Sequence, residues 1–472
     1  MLYRVRLLMG LVVLNLAVSC LKFPIREIEQ NEEISYSGYN YPFALENRFI
    51  LAEIVVETDG SLPLEDVELE IPPLKYNKSL LFFLTQDDCK QTAFCVTWAA
   101  INGRPLSTNY FYSLKHINFG IFPTDTLMLG KTLGSTDGAG NEVRFHFTTT
   151  IAPEMGFMTS DIDINRLRRV IDNNQFKERG GLMWEDIREM LNYGVGIAFH
   201  DNRTSDQSNV DSILKHYALS QNIILDSLAG RGCKTLAEPD GNKTYVEAAL
   251  EYSPIQIMTA QTGTIELCPC KLDCETRGFL FNRGFYDTIG FRVAINDQFA
   301  LPLKERHAIH VGVHETGVDW ARALLWLNDT YGKDGLDSIW MPSLEEYCEY
   351  DFYRMNSSIT RTITKNKIIV HLKIPMGQYF YSPSVTLNIK GLHKKNVIGL
   401  SSNYEVTGMS YDDYKDCFML NIDCRRYLYQ MASYYVGKYL ASKSETDYMD
   451  ALYFVSQLKE SSGKQQLLAK LK

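Results

Sequence analysis

The sequence predicts an α/β fold: a distorted (β/α) barrel with a short N-terminal β segment and a C-terminal β-sandwich-like domain plus helical tail. Three observations predict it. From Ser79 onward, apolar runs of strand length alternate with amphipathic helical stretches, the rhythm of βα units feeding a parallel sheet. Several of those runs end on acidic or imidazole side chains: Phe82-Phe83-Leu84-Thr85-Gln86-Asp87-Asp88, Ile197-Ala198-Phe199-His200 and Val311-Gly312-Val313-His314. Side chains just past the C-terminal strand ends of such a barrel converge on one mouth, however far apart they lie in the chain. Beyond about residue 356 the rhythm changes to period-two alternation, which predicts antiparallel strands.

With 472 residues the chain has room for two or three domains, and 45% apolar residues supply a sizeable core. Residues 1–20 stand apart. Arg4 and Arg6 precede an apolar run from Leu7 to Val18, interrupted by Gly10 and Asn15 and followed by Ser19-Cys20. A charged start, an apolar stretch too short to span comfortably and small residues before a processing point describe a signal peptide. Its end, Ala17-Val18-Ser19-Cys20, resembles a bacterial lipobox, with Ala17 where leucine is preferred. The resemblance implies that Cys20 is lipidated and begins the mature protein; the alternative is a plain signal peptide cleaved nearby. Both place the protein outside the cytoplasm, and the first makes it a membrane-anchored lipoprotein of the periplasm or outer membrane.

The elements follow in order. Residues 21–78 read as a leading β segment, with a strand from Phe49 to Val56 and punctuation at Pro63 and Pro72-Pro73. Residues 79–355 form the barrel. Trp184, Ile187 and Leu191 recur at helical spacing, Gly194 stops that helix, and Val195 to Phe199 makes a strand whose next residue is His200. Strands are also predicted over Ile255–Ala260 and Ile309–Val313. Thr316 and Asp319 are spaced as a capping pair for the next helix, and Ser343 and Glu346 repeat that signature for a helix ending near Met355. The long connection from Lys115 to Pro153 carries Asp137-Gly138, a hairpin signal, and as an insertion it is a candidate to shape a cleft at the mouth. Residues 356–472 read as a sandwich with strands over Ile359–Thr364, Lys367–Ile374, Val385–Ile389 and Cys417–Ile422. A helical tail bearing Tyr427, Met431 and Tyr434-Tyr435 follows, these aromatics being packing residues rather than a sugar platform.

The net charge of −9, or −11 once Arg4 and Arg6 leave with the signal peptide, argues against nucleic acid and anionic headgroups as partners. Of ten cysteines, nine remain if Cys20 carries lipid. Cys417 and Cys424 are candidates to bridge a hairpin. Cys268-Pro-Cys270-Lys-Leu-Asp-Cys274 fits no standard zinc spacing and reads as free or disulfide-bonded thiols.

The residues at the strand ends carry the chemistry. Two adjacent carboxylates and two histidines have the makings of a metal-assisted hydrolase, because a divalent ion lowers the pKa of bound water from about 15.7 toward roughly 7. Thr85-Gln86-Asp87-Asp88, His200, Pro239-Asp240-Gly241 and Val311-Gly312-Val313-His314 occur in the order and approximate spacing of the polysaccharide deacetylase motifs (NodB-like, carbohydrate esterase family 4). The run Asp337 to Glu346 resembles the end of that barrel, so the resemblance covers roughly residues 79–355. It implies hydrolysis of N- or O-acetyl groups on a glycan with a divalent metal, zinc first among candidates. It further implies that Asp87 is the general base, that Asp88 and His200 are metal ligands, and that His314 is the acid that protonates the leaving group.

The departures are specific. The family's second histidine ligand falls on Thr204, so the alternatives are that Asp201 or Asp206 substitutes or that solvent fills the site at some loss of affinity. The arginine expected near the third motif's proline is replaced by Ala237-Glu238-Pro239-Asp240. A negative group there would raise the pKa of Asp87, unless Glu238 or Asp240 itself binds metal. For the fourth motif, Arg283, Asp287 and Asp319 are candidates by position only. Two functions follow: a metal-dependent deacetylase, or a catalytically decayed barrel kept as a glycan-binding or assembly lipoprotein.

Overall fold

The computed structural model describes residues 49–107, 109–159, 176 and 181–472; the expected signal peptide, Cys20 and residues 21–48 lie outside them. Among the described residues no helix is long and apolar enough to cross a membrane. The chain opens with β1 (Phe49–Thr58) and β2 (Glu68–Glu70), then enters β3 (Leu80–Gln86), β4 (Gly134–Thr136), β5 (Glu142–Arg144), β6 (Thr148–Thr150) and β7 (Gly196–Ala198). β8 (Thr235–Ala237), β9 (Ile257–Ala260), β10 (Leu280–Asn282), β11 (Gly284–Phe285), β12 (Ile309–Val313) and β13 (Ile339–Trp340) follow.

The α/β core is a set of parallel pairings that closes on itself. β3 pairs with β6, β6 with β7, β8 with β9, and β9 with β10, while a parallel bridge from Phe199 to Leu236 joins β7 to β8. Only Arg283 separates β10 from β11; β11 pairs with β12, and β12 pairs back onto β3. Every residue of β3, β6, β7, β8, β9 and β12 is buried, which is why these segments read as continuous apolar or small-residue runs. Alternation along β3 divides its side chains: Leu80, Phe82 and Leu84 join the core shared with the surrounding helices, whereas Leu81 and Phe83 join the one that holds Trp340 and Tyr347.

One end of this ring is closed. β13 pairs with Leu80 and Leu81, and the helix Leu344–Asn356 follows it under the strands. The Leu344 amide donates to Thr148 Oγ1 (2.9 Å), and a Cβ on Gly196 would stand 2.8 Å from the Ser343 Cβ, so only glycine permits that approach. Ser343 caps the helix as expected, accepting from the Glu346 amide. The helix Trp184–Asn192 is also where the spacing predicts it, with Gly194 at φ +84° behind it. The helix Val318–Tyr331 differs, starting on Gly317 without a side-chain cap. Thr316 is drawn instead into a buried network with Thr92 and Thr97, to which Gln86 also belongs. The Asp137-Gly138 turn does form a hairpin, β4 with β5, but away from the mouth. It precedes β6 and so sits at the closed end, where Ser135 Oγ donates to Ile339 O and Asn421 Nδ2 to Asp137 O.

The remaining strands are β14 (Ser358–Thr364), β15 (Lys367–Pro375), β16 (Ser384–Lys390), β17 (Val397–Ser402), β18 (Gly408–Tyr414) and β19 (Cys417–Asp423). They form two antiparallel sheets ordered β14-β15-β1-β17 and β18-β19-β16-β2, so the leading segment supplies one strand to each. β1 is central in its sheet because its alternating Ile50, Ala52, Ile54 and Val56 have a face to bury and partners on both sides. Among the described residues every cysteine is free. Cys417 and Cys424 do not bridge, since they stand at opposite ends of the single strand β19, and about 3.3 Å of rise per residue keeps them far beyond disulfide reach. The tail helices Leu428–Ser442 and Glu445–Ser456 pack on each other, Tyr435 stacking on Phe454 (4.0 Å), and join the ring's surroundings through buried Asp450, which accepts from Arg104, from Arg144 (2.6 Å) and from the Tyr193 hydroxyl (2.7 Å).

Candidate active site

At the open end, Asp87, Glu238 and His314 directly follow β3, β8 and β12, and His200 comes two residues after β7. Asp87 follows β3 directly, its amide donating to Val313 O (2.8 Å) so that β3 and β12 end together. Its carboxylate is buried, and Oδ1 accepts from Arg283 Nη1 (2.8 Å). Arg283 comes from the break between β10 and β11, and its Nη2 donates to Glu238 O (3.1 Å). A Cβ on Gly312 would stand 3.1 Å from Arg283 Cδ and 2.9 Å from the Phe285 ring, so the bare glycine makes room for the arginine stem. Burial pushes the Asp87 pKa above the usual carboxylate value, and the charges of Arg283, His200 and His314 offset only part of that. The arginine that pairs with Asp87 thus comes from between β10 and β11, not from the residues beside Pro239.

Asp88 and Cys89 both take left-handed conformations, φ +61° and +51°, which turn the chain sharply and present Asp88 to solvent at the mouth. The Cys89 amide donates to Thr150 Oγ1 (3.2 Å) and holds the turn. Facing it is buried His200, whose Nδ1 lies 2.8 Å from Ala237 O, a contact that requires the Nδ1–H tautomer. Its Nε2 then points at Asp88 Oδ1, 3.5 Å away. In a neutral ring that nitrogen is a lone pair confronting a carboxylate, an arrangement that a proton or a metal ion would relieve. Protonation is one answer: burial disfavours the imidazolium, but Asp88 and Asp87 prevail and raise the His200 pKa, while His200 lowers that of Asp88. A divalent ion is the other. Two ligands about 2.1 Å from a tetrahedral ion are about 3.4 Å apart, which this pair matches.

Two donors fit; a third does not follow. Among the described residues there is no group of three or more His, Cys, Asp or Glu placed to hold a metal. Thr204 turns its hydroxyl to Ser212 and to Asp206 O. Asp201 lines the cleft beside Asp88 and His200, but its Oδ1 accepts from the Tyr245 hydroxyl (2.7 Å), and Asp206 is engaged by Ser208. Glu238 is buried, with Oε1 on Lys243 (2.6 Å) and Oε2 without a hydrogen-bond partner. Asp240 is exposed at φ +51° in the turn beyond. His314 stacks on Phe285 (5.1 Å) and is near enough to act electrostatically on both Asp87 and Asp88. Asp287 caps the helix Thr288–Ala300 and Asp319 lies in the first turn of its own helix, leaving Arg283 as the positional candidate that reaches the site.

Sequence reasoning passed over Lys90, 3.8 Å from Asp88 Oδ2 and 3.5 Å from Glu315, because a lysine outside a strand end carries no signal. It also passed over the apolar wall of Ile151, Pro153, Met155 and Phe157. Residues 52–472 match the family model described as "Putative polysaccharide deacetylase". The chain belongs to that family. The match runs beyond the strand ring through the two antiparallel sheets and the tail helices, further than the motifs alone suggested. No curated protein matches the chain.

Proposed function

We propose that this family member removes acetyl groups from a glycan at the mouth of the ring, read here as the family's distorted barrel. The observation that carries the proposal is the Asp87–Arg283 pair, a buried carboxylate held by one oxygen beside exposed Asp88 and cation-seeking His200. Arg283 fixes Asp87 Oδ1 and leaves the second oxygen to take a proton from water; the raised pKa brings that carboxylate closer to the range useful to a general base. Asp88 and His200 would hold a divalent ion, which when bound supplies Lewis acidity at the acetyl carbonyl and acidifies water. His314, kept in place by Phe285, delivers a proton to the departing amine or alkoxide. The Ile151–Phe157 wall offers an apolar surface to a sugar face or acetyl methyl. Anchoring through a lipidated Cys20 is a separate proposal, resting on residues 1–20 alone; Cys20→Ala should release the protein from the membrane fraction with its fold intact, and wholly soluble wild type would refute it.

The test is acetate release from a panel of acetylated glycans with divalent metal in excess, paired with metal analysis. Asp88→Ala should abolish stoichiometric metal binding and hydrolysis together. Asp87→Asn should keep the metal and lose about 10²–10⁴-fold in rate. A second reading, a barrel retained for glycan binding after losing catalysis, is favoured by Thr204 standing where a ligand is expected. Thr204→His should tighten metal binding if the motif alignment holds. Wild type that neither binds metal nor releases acetate would make the binding reading the better account.

A further inference from the structure

The polar interior of the ring holds a histidine that the proposed reaction leaves without a task. His310, on β12, is buried between strands, with Nδ1 3.0 Å from Thr259 Oγ1 on β9 and Nε2 2.5 Å from Thr85 Oγ1 on β3. The proton positions follow from the partners. Thr259 spends its one hydroxyl proton on Phe281 O (3.2 Å), so it can only accept from the imidazole. His310 is therefore the Nδ1–H tautomer, and its bare Nε2 accepts from Thr85. Phe83 closes the inner side, its ring centroid 5.4 Å away.

The imidazole and two of the residues in its hydrogen-bond chain each lie two positions before a residue at the Asp87–Arg283 pair. Thr85 on β3 precedes Asp87, Phe281 precedes Arg283, and His310 precedes Gly312, over which the Arg283 stem runs. Arg283 N also donates to Ala260 O, next to Thr259. Side chains two apart on a strand share a face, so the imidazole ties together the layer beneath the Asp87–Arg283 pair.

We propose that His310 is a positioning residue: a neutral imidazole that braces Thr85 against Thr259 and so sets Arg283 on Asp87. Neutrality matters because a second cation here would repel Arg283 and deprive Thr85 of its acceptor. Burial, and then Arg283 itself, push the His310 pKa well below its ordinary value, in keeping with that role. The kinetic part rests on the deacetylase reading; the geometric part does not.

The experiment compares full-length wild type with His310→Leu, His310→Gln and Thr85→Val by crystallography, thermal melting and acetate release. In folded His310→Leu and Thr85→Val the Arg283 Nη1 to Asp87 Oδ1 contact should open. Hydrolysis should then lose up to about 10²-fold in kcat with little change in KM, the signature of a misplaced reacting group. Glutamine can donate to Thr259 and accept from Thr85, so His310→Gln should restore the contact and most of kcat. A folded His310→Leu or Thr85→Val that keeps the contact at its wild-type distance overturns the proposal. If wild type releases no acetate, the functional reading fails, and the crystallographic contact still decides whether the brace exists.

Discussion

The two ends of the strand ring carry similar residue types and treat them in opposite ways. At the closed end, Lys75 and His146 both bind Glu346 (3.1 and 2.6 Å), Arg231 binds Glu345, and Lys234 donates to Glu349 (2.6 Å) and Tyr379 O. Opposite charges there meet at hydrogen-bonding distance beneath the helix Leu344–Asn356. At the open end, Asp88 is exposed, its nearest basic nitrogens stand 3.5 and 3.8 Å away, and His200 turns a ring nitrogen to it. Buried Asp87 and Glu238 have tight partners, Arg283 (2.8 Å) and Lys243 (2.6 Å). Charged residues at strand ends are thus not by themselves a sign of chemistry: the closed end uses them to join parts of the fold, and the open end leaves them short of partners that a substrate, a proton or an ion can supply.

The sharpest way to break this contrast is to remove the tight pair at Asp87. Arg283→Met leaves Asp87 buried and unpaired, which should cost about 3–5 kcal/mol in denaturant unfolding. It should also raise the Asp87 pKa further, so that hydrolysis collapses at neutral pH. Retained activity would show that the base lies elsewhere. At the closed end, Lys75→Met should cost about 1–3 kcal/mol, less than Arg283→Met because His146 still holds Glu346, and leave the rate of the surviving folded protein unchanged. A rate loss equal to that of Arg283→Met would erase the distinction between the two ends.

Acid offers a reading of the closed end alone. Burial on its own would raise the Glu346 pKa, but Lys75 and His146 overcome it and hold the carboxyl at about 2, below its ordinary 4.5. A depressed folded-state pKa stabilises above the unfolded value and is lost as pH falls through the folded one. Glu346 should therefore contribute roughly 3 kcal/mol above pH 4.5 that fades between about 4.5 and 2, given 1.36 kcal/mol per unit. Glu346→Gln should flatten that part of the stability profile; an unchanged slope would place the acid sensitivity elsewhere. The smallest effect is expected from Gly312→Ala. Its φ is ordinary, so the cost is steric, about 1–3 kcal/mol for crowding the Arg283 stem and the Phe285 ring, with the rate falling more than the melting temperature suggests.

Local pattern was enough to place Asp87, Asp88, His200 and His314 at strand ends, the Trp184–Asn192 helix before Gly194, and the Ser343 cap, because each depends on periodicity or on a few neighbouring residues. It was not enough for what depends on distance across the fold. The Asp87–Arg283 pair joins residues 196 positions apart, and nothing local distinguishes Arg283 from Asp287 or Asp319 as candidates. Thr204 could be seen as a missing ligand, but not that its hydroxyl would turn to Ser212. The hairpin at Asp137 was legible as a hairpin and not as belonging to the closed end, and β1 was legible as a strand and not as the centre of a sheet built mostly from residues 300 positions later. Periodicity states which face of an element is buried. Which other face it meets, and hence which charge finds a partner and which is left open, is decided only when the strands close into a ring.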